Sequence, residues 1–497
     1  MKEQLTAATK PQITAVVQPQ ITAAVQPQIT ANQIVAVILG AGLGTRMKSA
    51  KAKVLHEAGG DTLLNHVIRA ALSVTQRERI VVVVGHQADT VKASVRVPGV
   101  RFALQPEQKG TGHAARCAQS AVDSEDGLLL ILNGDGPLLR AETIQELVKA
   151  ATSNGGGGAL VTTYLPDPTG YGRIVRDQKG MIASIVEQKS GTPEQLAIRE
   201  VNPGAYCFSA RAFWKHVGEL QPSVPANELY LTDMAEILAR HGHPVAPLPI
   251  EDHTELLGIN TRVELAIADR ILRTRKTTAL MLSGVTIEYP ETVTIDANVE
   301  VAPDSVIEAG VQLRGNTTVG ANCRIGTGSV LRNCRVADEV TILPYVIAND
   351  SSIGARSFVG PFSRLRMEAE AGECTHIGNF VELKKTNLGA GSKASHLAYL
   401  GDASIGKDVN VGAGTITCNY DGERKHPTKI DDGAFVGSNS TLVAPLTVGK
   451  GAYVGAGSTI TKDVAPDALA LGRAFQVEKP EWARKRRAAK TGSKNRS

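Results

Sequence analysis

The chain has 497 residues, of which 42% are hydrophobic, 21% charged and 4% aromatic, and its net charge is +5. At about 100–200 residues per domain this length suggests two to four domains, and so small a net charge does not by itself imply nucleic-acid binding. No apolar run approaches the ~18 residues of a membrane-spanning helix, and no signal-peptide core is seen at the N-terminus; the six cysteines (Cys117, Cys207, Cys323, Cys334, Cys374, Cys418) contain no CxxC pair, so a cytosolic protein with reduced, mostly buried thiols is expected.

Residues 1–33 carry a PQITA unit starting at Pro11, Pro19 and Pro27. Proline at that spacing blocks both helix and central strand, so a disordered extension is expected. Ile34–Leu39 is a run of the buried-strand type that ends in a glycine-rich turn, and Ile80–Val84 and Leu128–Leu132 repeat the pattern. Helical stretches at Leu63–Leu72 and Ala114–Ala121 lie between them. Strands alternating with helices predict an α/β domain with a Rossmann-like, mostly parallel sheet over 34–260. Ligands of such sheets bind beyond the carboxyl ends of the strands.

Residues 261–284 read as a connecting helix. From 285 to 479 aliphatic residues recur at six-residue intervals: Ile295, Val301, Ile307, Leu313, Val319, Ile325 and Leu331, then Ile353, Val359 and Leu365, then Val436, Leu442, Val448, Val454 and Ile460. Neither helix nor ordinary strand has that period. A triangular parallel β-helix does, with one short strand per face and one coil per three hexads. The phase slips between the blocks. Residues 480–497 form a basic tail, read as a solvated disordered end.

The first strand leads into Leu39-Gly40-Ala41-Gly42-Leu43-Gly44-Thr45-Arg46-Met47, and Lys53-Val54-Leu55 follows closely. Glycines let backbone N–H groups approach phosphate, and Arg46 can balance its charge. A GxGxG run alone also suits a dinucleotide-binding fold, but this one continues into Thr45-Arg46-Met47 rather than into a helix with a third spaced glycine. Together these residues resemble the signature of sugar-phosphate nucleotidyltransferases. Gln105–Ala114 resembles that family's uridine-recognising segment, and Asn133-Gly134-Asp135 its metal-binding strand end. Gly170–Ile174, Glu187-Gln188-Lys189, Val201-Asn202 and Gly258-Ile259-Asn260 resemble its sugar-binding half, in the family's order.

The resemblance implies that UTP reacts with a sugar 1-phosphate and releases pyrophosphate, a reaction in which the protein mainly aligns anions and neutralises charge. It implies Mg²⁺ on Asp135 and Asn260, and Arg46 and Lys53 on the triphosphate. Leu39, Gly40, Ala41, Gly42, Gln105, Gly110, Thr111, Asn133 and Gly134 would complete the nucleotide site, and Gly172, Glu187 and Asn202 would hold the sugar. Gly40, Ala52 and Gly136 stand where the family commonly has Ala, Pro and Val. His113 is read as structural.

A second concentration of unusual residues runs from Arg364 to Tyr420 on the β-helix. Basic residues among apolar hexads suggest a bound anion, and a histidine beside them suggests proton removal. These strings resemble the acetyltransferase half of bifunctional N-acetylglucosamine-1-phosphate uridylyltransferase/glucosamine-1-phosphate N-acetyltransferases. That family's β-helix is left-handed, and its trimer places active sites between subunits. The resemblance implies His396 as the base that deprotonates the amine of glucosamine 1-phosphate as it attacks acetyl-CoA, with Glu382 as a candidate to orient it. Arg366, Lys384, Tyr399 and Asn410 would hold the sugar phosphate, and Ala413, Asn419, Tyr420, Ser438, Ala456 and Arg473 would line the acetyl-CoA site. Met367-Glu368 replaces the family's usual Pro-Gly, and His376 is read as structural.

Two other readings stay open on the residues. One is a single-activity nucleotidyltransferase whose β-helix is inert, against which the His396 string stands. The other is a sugar-nucleotide-binding protein without catalysis, whose only support is the altered residues beside the motifs. Release of pyrophosphate and of free coenzyme A thiol distinguishes all three.

Overall fold

The computed structural model describes residues 30–122, 126–153, 156–223 and 227–494. The PQITA repeats, and the disorder expected of them, lie outside the described residues. A short turn precedes the expected start at Ile34. Thr30 opens a short turn, Ala31–Gln33, whose Gln33 side chain closes back on the Thr30 N–H at 3.0 Å.

Ile34–Leu39 lies in the parallel half of a ten-stranded sheet. It pairs in parallel with Ile80–Val84 on one side and Leu128–Asn133 on the other, and Ile80–Val84 pairs onward with Arg101–Leu104. Alternate residues enter opposite faces, as the two-residue period of a strand requires. Val35, Val37, Val81 and Val83 join one core, and Ala36, Ile38, Val82 and Val84 the other. Two buried faces explain why these strands read as unbroken apolar runs.

Past Leu128–Asn133 the direction reverses. Ala205–Ser209 runs antiparallel between it and Gly158–Tyr164, and Val245–Pro249 pairs parallel with Gly158–Tyr164. The hairpin Gly172–Arg176/Ile182–Val186 and the strand Glu200–Asn202 complete that half. The sheet is therefore mixed, with a parallel nucleotide-type half and a largely antiparallel half beside it.

The helix Arg262–Leu282 opens on a capping box. The Glu264 N–H donates to Thr261 Oγ1 at 3.2 Å, and the Glu264 carboxylate accepts from the Thr261 N–H at 2.7 Å. Its far end buries Leu280 in the core of the second unit. That unit is a parallel β-helix with faces of eleven, ten and nine strands. The predicted aliphatic positions all point inward, each burial contributing about 1.5–3 kcal/mol.

Coil length explains the slipping phase. Val306 pairs with Arg324 eighteen residues on, but Arg324 pairs with Thr341 after seventeen, because one corner is a residue shorter. Asn410 pairs with Phe435 only after twenty-five residues, because a loop around Asn419–Pro427 is inserted in that coil.

The two units touch directly. The Ala297 N–H donates to the Gly59 carbonyl at 2.7 Å, and Arg273 pairs with Asp296 at 2.9 Å. Gly60, at φ +82°, leaves the space Asp296 occupies; a Cβ there would sit 2.1 Å from the Asp296 carboxyl carbon. The C-terminal tail departs from the disordered end expected of it. Trp482–Lys494 is helical, since Ala, Arg and Lys are strong helix formers, and Arg486 lies 5.2 Å from the Trp482 ring centre.

Met367 and Glu368 turn one β-helix corner with φ +54° and +61°. Proline cannot adopt the first of these, so this corner is a different turn from Pro-Gly and not a substituted copy of it. The Glu368 N–H is fixed to the Asp350 carbonyl at 2.9 Å. A left-handed conformation costs a non-glycine residue about 1–2 kcal/mol. Glu368→Gly is therefore expected to stabilise the β-helix by about 0.5–1 kcal/mol, measured as a rise in its unfolding midpoint. A fall would show that the Glu368 side chain stabilises the corner by more than its backbone strain costs.

Candidate functional site

Two adjoining cavities of about 400 and 360 Å³ open at the carboxyl end of the parallel strands and share Thr111, Asn133, Asp135 and Tyr230. Leu39, Ala41, Gly42, Lys53, Gln105, Gly110 and Thr111 line the first, and Arg46, Gly172, Glu187, Asn202 and Asn260 the second. Most predicted nucleotide residues line one half of the cleft and the predicted sugar residues the other, joined at Asp135; Arg46, expected on the triphosphate, lines the sugar half.

At the junction the Lys53 ammonium donates to Asp135 and, at 3.1 Å, to Asn260 Oδ1, which also accepts from Arg46 at 2.8 Å. A carboxylate oxygen and an amide oxygen thus converge on one cation position. That donor set fits a hard divalent metal, which takes one or two protein oxygens and keeps several waters. Asn260 is held by its own backbone, because its N–H donates to Glu264 at 2.6 Å. Asp135 is tied to the same segment, its carbonyl accepting from the Ile259 N–H at 3.0 Å.

In the phosphate loop the amides of Ala41, Gly42 and Leu43 make no hydrogen bond within the described residues. Gly44 is left-handed at φ +63°, and a Cβ there would meet Lys53 Cβ at 2.6 Å. The Gly40 and Gly134 amides, expected to face nucleotide, instead donate to Val83 and Leu39 carbonyls at 2.9 Å. These two residues shape the loops and present no free N–H.

The altered positions are absorbed locally. The Ala52 N–H, which proline would lack, donates to Gln87 Oε1 at 2.8 Å. A Cβ at Gly40 would meet the Val83 carbonyl at 3.2 Å, and one at Gly136 meets nothing nearer than 3.7 Å.

Gln105 is buried and donates to the Gly110 carbonyl at 3.1 Å. His113 Nδ1 reaches the Glu107 carbonyl at 3.0 Å. In the sugar half, Asn202 donates to the Tyr206 hydroxyl at 2.7 Å, and Glu187 accepts from Thr232 at 3.0 Å. Burial pushes the Glu187 carboxyl up against that hydrogen bond. Beside it, burial and the charges of Glu187 and Glu236 push Asp233 up to about 6. Glu228, Tyr230 and Thr232 line the cleft but carry no motif in the sequence; the reversed strands that bring their segment back to the site were not legible there.

On the β-helix, His396 lies at a corner and its Nδ1 meets Asn379 Oδ1, one coil earlier, at 2.8 Å. Glu382, the expected orienting partner, does not reach it; its carboxylate accepts from Arg366 Nε at 2.6 Å. Lys384 follows Arg366 in register and is buried, donating to Asp402 at 2.6 Å. Burial pushes the Lys384 ammonium down, but the bond to Asp402 outweighs it and the net shift is upward. Burial likewise raises Asp402, yet its bonds to Lys384 and Asn419 hold it below the usual carboxylate range.

Lys425, on the inserted loop, meets the Lys384 ammonium and is depressed by it. This third cation beside Arg366 was missed by sequence reading. Tyr399 stands over Gly401, where a Cβ would lie 2.6 Å from its hydroxyl and 2.8 Å from Asn419. Arg366, Lys384, Tyr399 and Asn419 are thus brought together on one face.

The residues assigned to acetyl-CoA continue the His396 corner. The Gly414 N–H donates to the Leu397 carbonyl at 3.0 Å, placing Ala413 one coil above His396. Ser438 and Ala456 follow, their amides lying against Gly412 and Gly437, and Arg473 lies against Gly457. Tyr420 is exposed on the inserted loop. Asn410 stands on the neighbouring face, between Lys393 and Phe435. Among the described residues it makes no hydrogen bond with Arg366 or Lys384 within one chain.

A nucleotidyltransferase-type cleft joined to a hexapeptide β-helix with a histidine corner defines the class: a two-site transferase. A MobA-like NTP transferase domain matches residues 36–222, a GMPPB C-terminal domain 289–385, and a hexapeptide repeat of succinyl-transferase 427–462. Three relatives, each called Bifunctional protein GlmU, align along nearly their whole length. The Solibacter usitatus protein is 56% identical over 91% of this chain and 97% of its own. That of an Anaeromyxobacter species is 51% identical over 92% and 93%, and that of Koribacter versatilis 47% over 91% and 97%. The chain belongs to the bifunctional GlmU family. It is an enzyme of UDP-N-acetylglucosamine biosynthesis with uridylyltransferase and acetyltransferase activities. The family and the NTP transferase domain are consistent with use of a divalent metal and acetyl-CoA.

Asp233 gives a pH test of the sugar half. Its folded-state value lies above the unfolded one, so the stability it contributes is full below the unfolded value of about 3.9 and is lost as pH rises to about 6. Asp233→Asn stays neutral. It is expected to stabilise the N-terminal unit by about 1–2 kcal/mol at pH 7 and by about nothing near pH 3.5, read from urea unfolding at both pH values. An equal gain at both would assign the effect to packing.

Proposed function

We propose that residues 34–260 carry out uridylyl transfer and residues 285–479 acetyl transfer, joined by the helix within 261–284. The observation that carries the first assignment is the meeting of the two cavities at Asp135, with Asn260 and Lys53 converging there. UTP occupies the half lined by Gly42, Gln105, Gly110 and Thr111. N-acetylglucosamine 1-phosphate occupies the half lined by Gly172, Glu187 and Asn202.

Mg²⁺ is the metal assigned to Asp135 and Asn260; when bound it neutralises charge on the phosphates. Arg46 and Lys53 balance the rest, and the free amides of Ala41 and Gly42 orient the triphosphate for attack by the sugar phosphate oxygen on the α-phosphorus.

In the second site Arg366, Lys384 and Lys425 form the anion subsite for glucosamine 1-phosphate with Tyr399 beside them, and Asn410, on the neighbouring face, joins it from a second copy of the chain. His396 Nδ1–H donates to Asn379, which leaves Nε2 with its lone pair to take the amine proton. The amine nitrogen bonds to the thioester carbonyl carbon, the C–S bond breaks, and the proton passes from His396 to the departing thiolate. Acetyl-CoA lies along the corner of Ala413, Ser438, Ala456 and Arg473, with Asn419 and Tyr420 beside it.

We assign the protein to the cytoplasm on its six unpaired thiols. We assign a homotrimer on its exposed apolar columns. Tyr345, Phe362 and Phe380 stack along the His396 corner with ring centres 5.3 and 5.5 Å apart, and Leu397 follows them, all at least half exposed. Such a column is the kind of surface that symmetric association buries.

Asp135→Ala is expected to abolish uridylyl transfer and leave acetyl transfer intact. His396→Ala is expected to lower acetyl-transfer kcat by about 10²–10⁴ and leave uridylyl transfer from supplied N-acetylglucosamine 1-phosphate intact. Pyrophosphate and free coenzyme A thiol are the two readouts. Loss of both activities in either folded variant would end the two-site assignment.

Sedimentation of the full chain at micromolar concentration is expected to give a trimer. A monomer there would refute the assembly.

A further inference from the structure

Away from both sites, the N-terminal unit gathers three metal-ligating side chains. His216 ends the helix Ala210–His216, Glu219 lies on the turn that follows, and His241 caps the helix Asp233–Arg240. One ligand atom from each lies within 4.8 Å of the others. The Glu219 carboxylate spans both rings, with His216 Nδ1 at 2.6 Å and His241 Nε2 at 3.0 Å. The two imidazoles stack with centres 3.8 Å apart, and His243 lies beside them, 6.1 Å from His216. His216 is 5% exposed, and its Nε2 has no hydrogen-bond partner.

We propose that His216, Glu219 and His241 form a binding site for a divalent transition metal of the zinc class. Two imidazoles and a carboxylate match that class rather than Mg²⁺ or Ca²⁺, which prefer all-oxygen sets. Three protein ligands leave a position for water. Ligands on one zinc ion sit about 3.3 Å apart for bonds of about 2.0–2.1 Å. Reaching that spacing needs small rotations, and the half-exposed Glu219 and His241 are free to make them, while burial fixes His216.

Both histidines stand at helix C-termini, where the backbone's partial negative charge favours a cation. The metal would clamp two helices together. The second of them follows directly on Thr232, which holds Glu187 in the sugar half of the cleft. The site is therefore a brace for that wall and takes no part in either transfer step.

The test is equilibrium dialysis of the full-length protein against micromolar Zn²⁺ with millimolar Mg²⁺ present, which occupies the Asp135 position. Wild type is expected to retain one equivalent of zinc per chain more than Glu219→Gln and than His241→Ala. Zinc is expected to raise the first thermal unfolding midpoint of wild type only. Both substituted residues are exposed, so unchanged uridylyl transfer in zinc-free buffer confirms that each variant is folded. Equal zinc content in all three proteins, or none in wild type, overturns the proposal and leaves a carboxylate clamped by two imidazoles.

Discussion

A β-helix imposes one constraint from which the second half of this molecule follows: each coil must return to the position above the one before it. Outward side chains then stand in columns spaced by the parallel strand separation of about 4.8 Å. That spacing lets Asn379 hold His396, places Lys384 above Arg366, and stacks Tyr345, Phe362 and Phe380. None of these pairs is close in sequence. Each is one coil apart, so His396 receives its partner from the repeat itself without a specialised loop. The irregular coil supplies the rest. Its inserted loop carries Lys425 back over Lys384 and Asn419 onto Asp402, adding charge and polarity that a strict hexad could not provide.

The α/β unit solves a different problem. A parallel sheet offers one row of strand ends, enough for a nucleotide but not for a second substrate beside it. Reversing direction at Ala205–Ser209 folds the remaining strands into a second wall, and the two cavities share Asp135 at the seam. Charge then organises the seam. Lys53 and Arg46 both donate to Asn260, so the two cations hold its amide oxygen in place. The acidic side of the cleft is its sugar half, where burial raises the proton affinity of Glu187, and burial together with the charge of Glu187 raises that of Asp233.

What was legible in the sequence follows from these geometries. Ile34–Leu39 and Ile80–Val84 were read to the residue because a strand buried on both faces is an apolar run with abrupt ends. The hexads were legible because one aliphatic per strand points inward at every coil. Asn379 was not seen, since nothing in a linear string marks a residue one coil before His396 until the local coil length is known to be seventeen. Glu382 looked as suitable a partner, and only the register shows it in line with Arg364 and Tyr399 instead. Tyr230 and Thr232 were missed because their approach depends on antiparallel pairings far away in the chain. The helical tail was missed because charge density was weighed above the helix propensity of its Ala, Arg and Lys residues.

The connecting helix ties the two solutions together, and it does so at both ends. Its capping box begins at Thr261, one residue after Asn260, and the same Glu264 carboxylate accepts from both backbone N–H groups at 2.7 and 2.6 Å. Starting the helix therefore fixes the amide oxygen that meets Lys53 and Arg46. Ala268 packs midway with Leu63, Leu138 and Ile259 under the α/β unit. Arg273 then bridges Asp269 on the helix to Asp296 on the first coil, at 2.9 Å each, and Leu280 enters the β-helix core. A half-buried arginine between two carboxylates is costly to break from one side, because the Asp296 charge left behind stays largely desolvated. The helix is thus a common foundation: it sets the position of Asn260 in the cleft and seats the first coil of the β-helix. The side chains around His396 and Arg366, however, are positioned by neighbouring coils and the inserted loop, which is why two chemistries can share one chain without sharing a geometry.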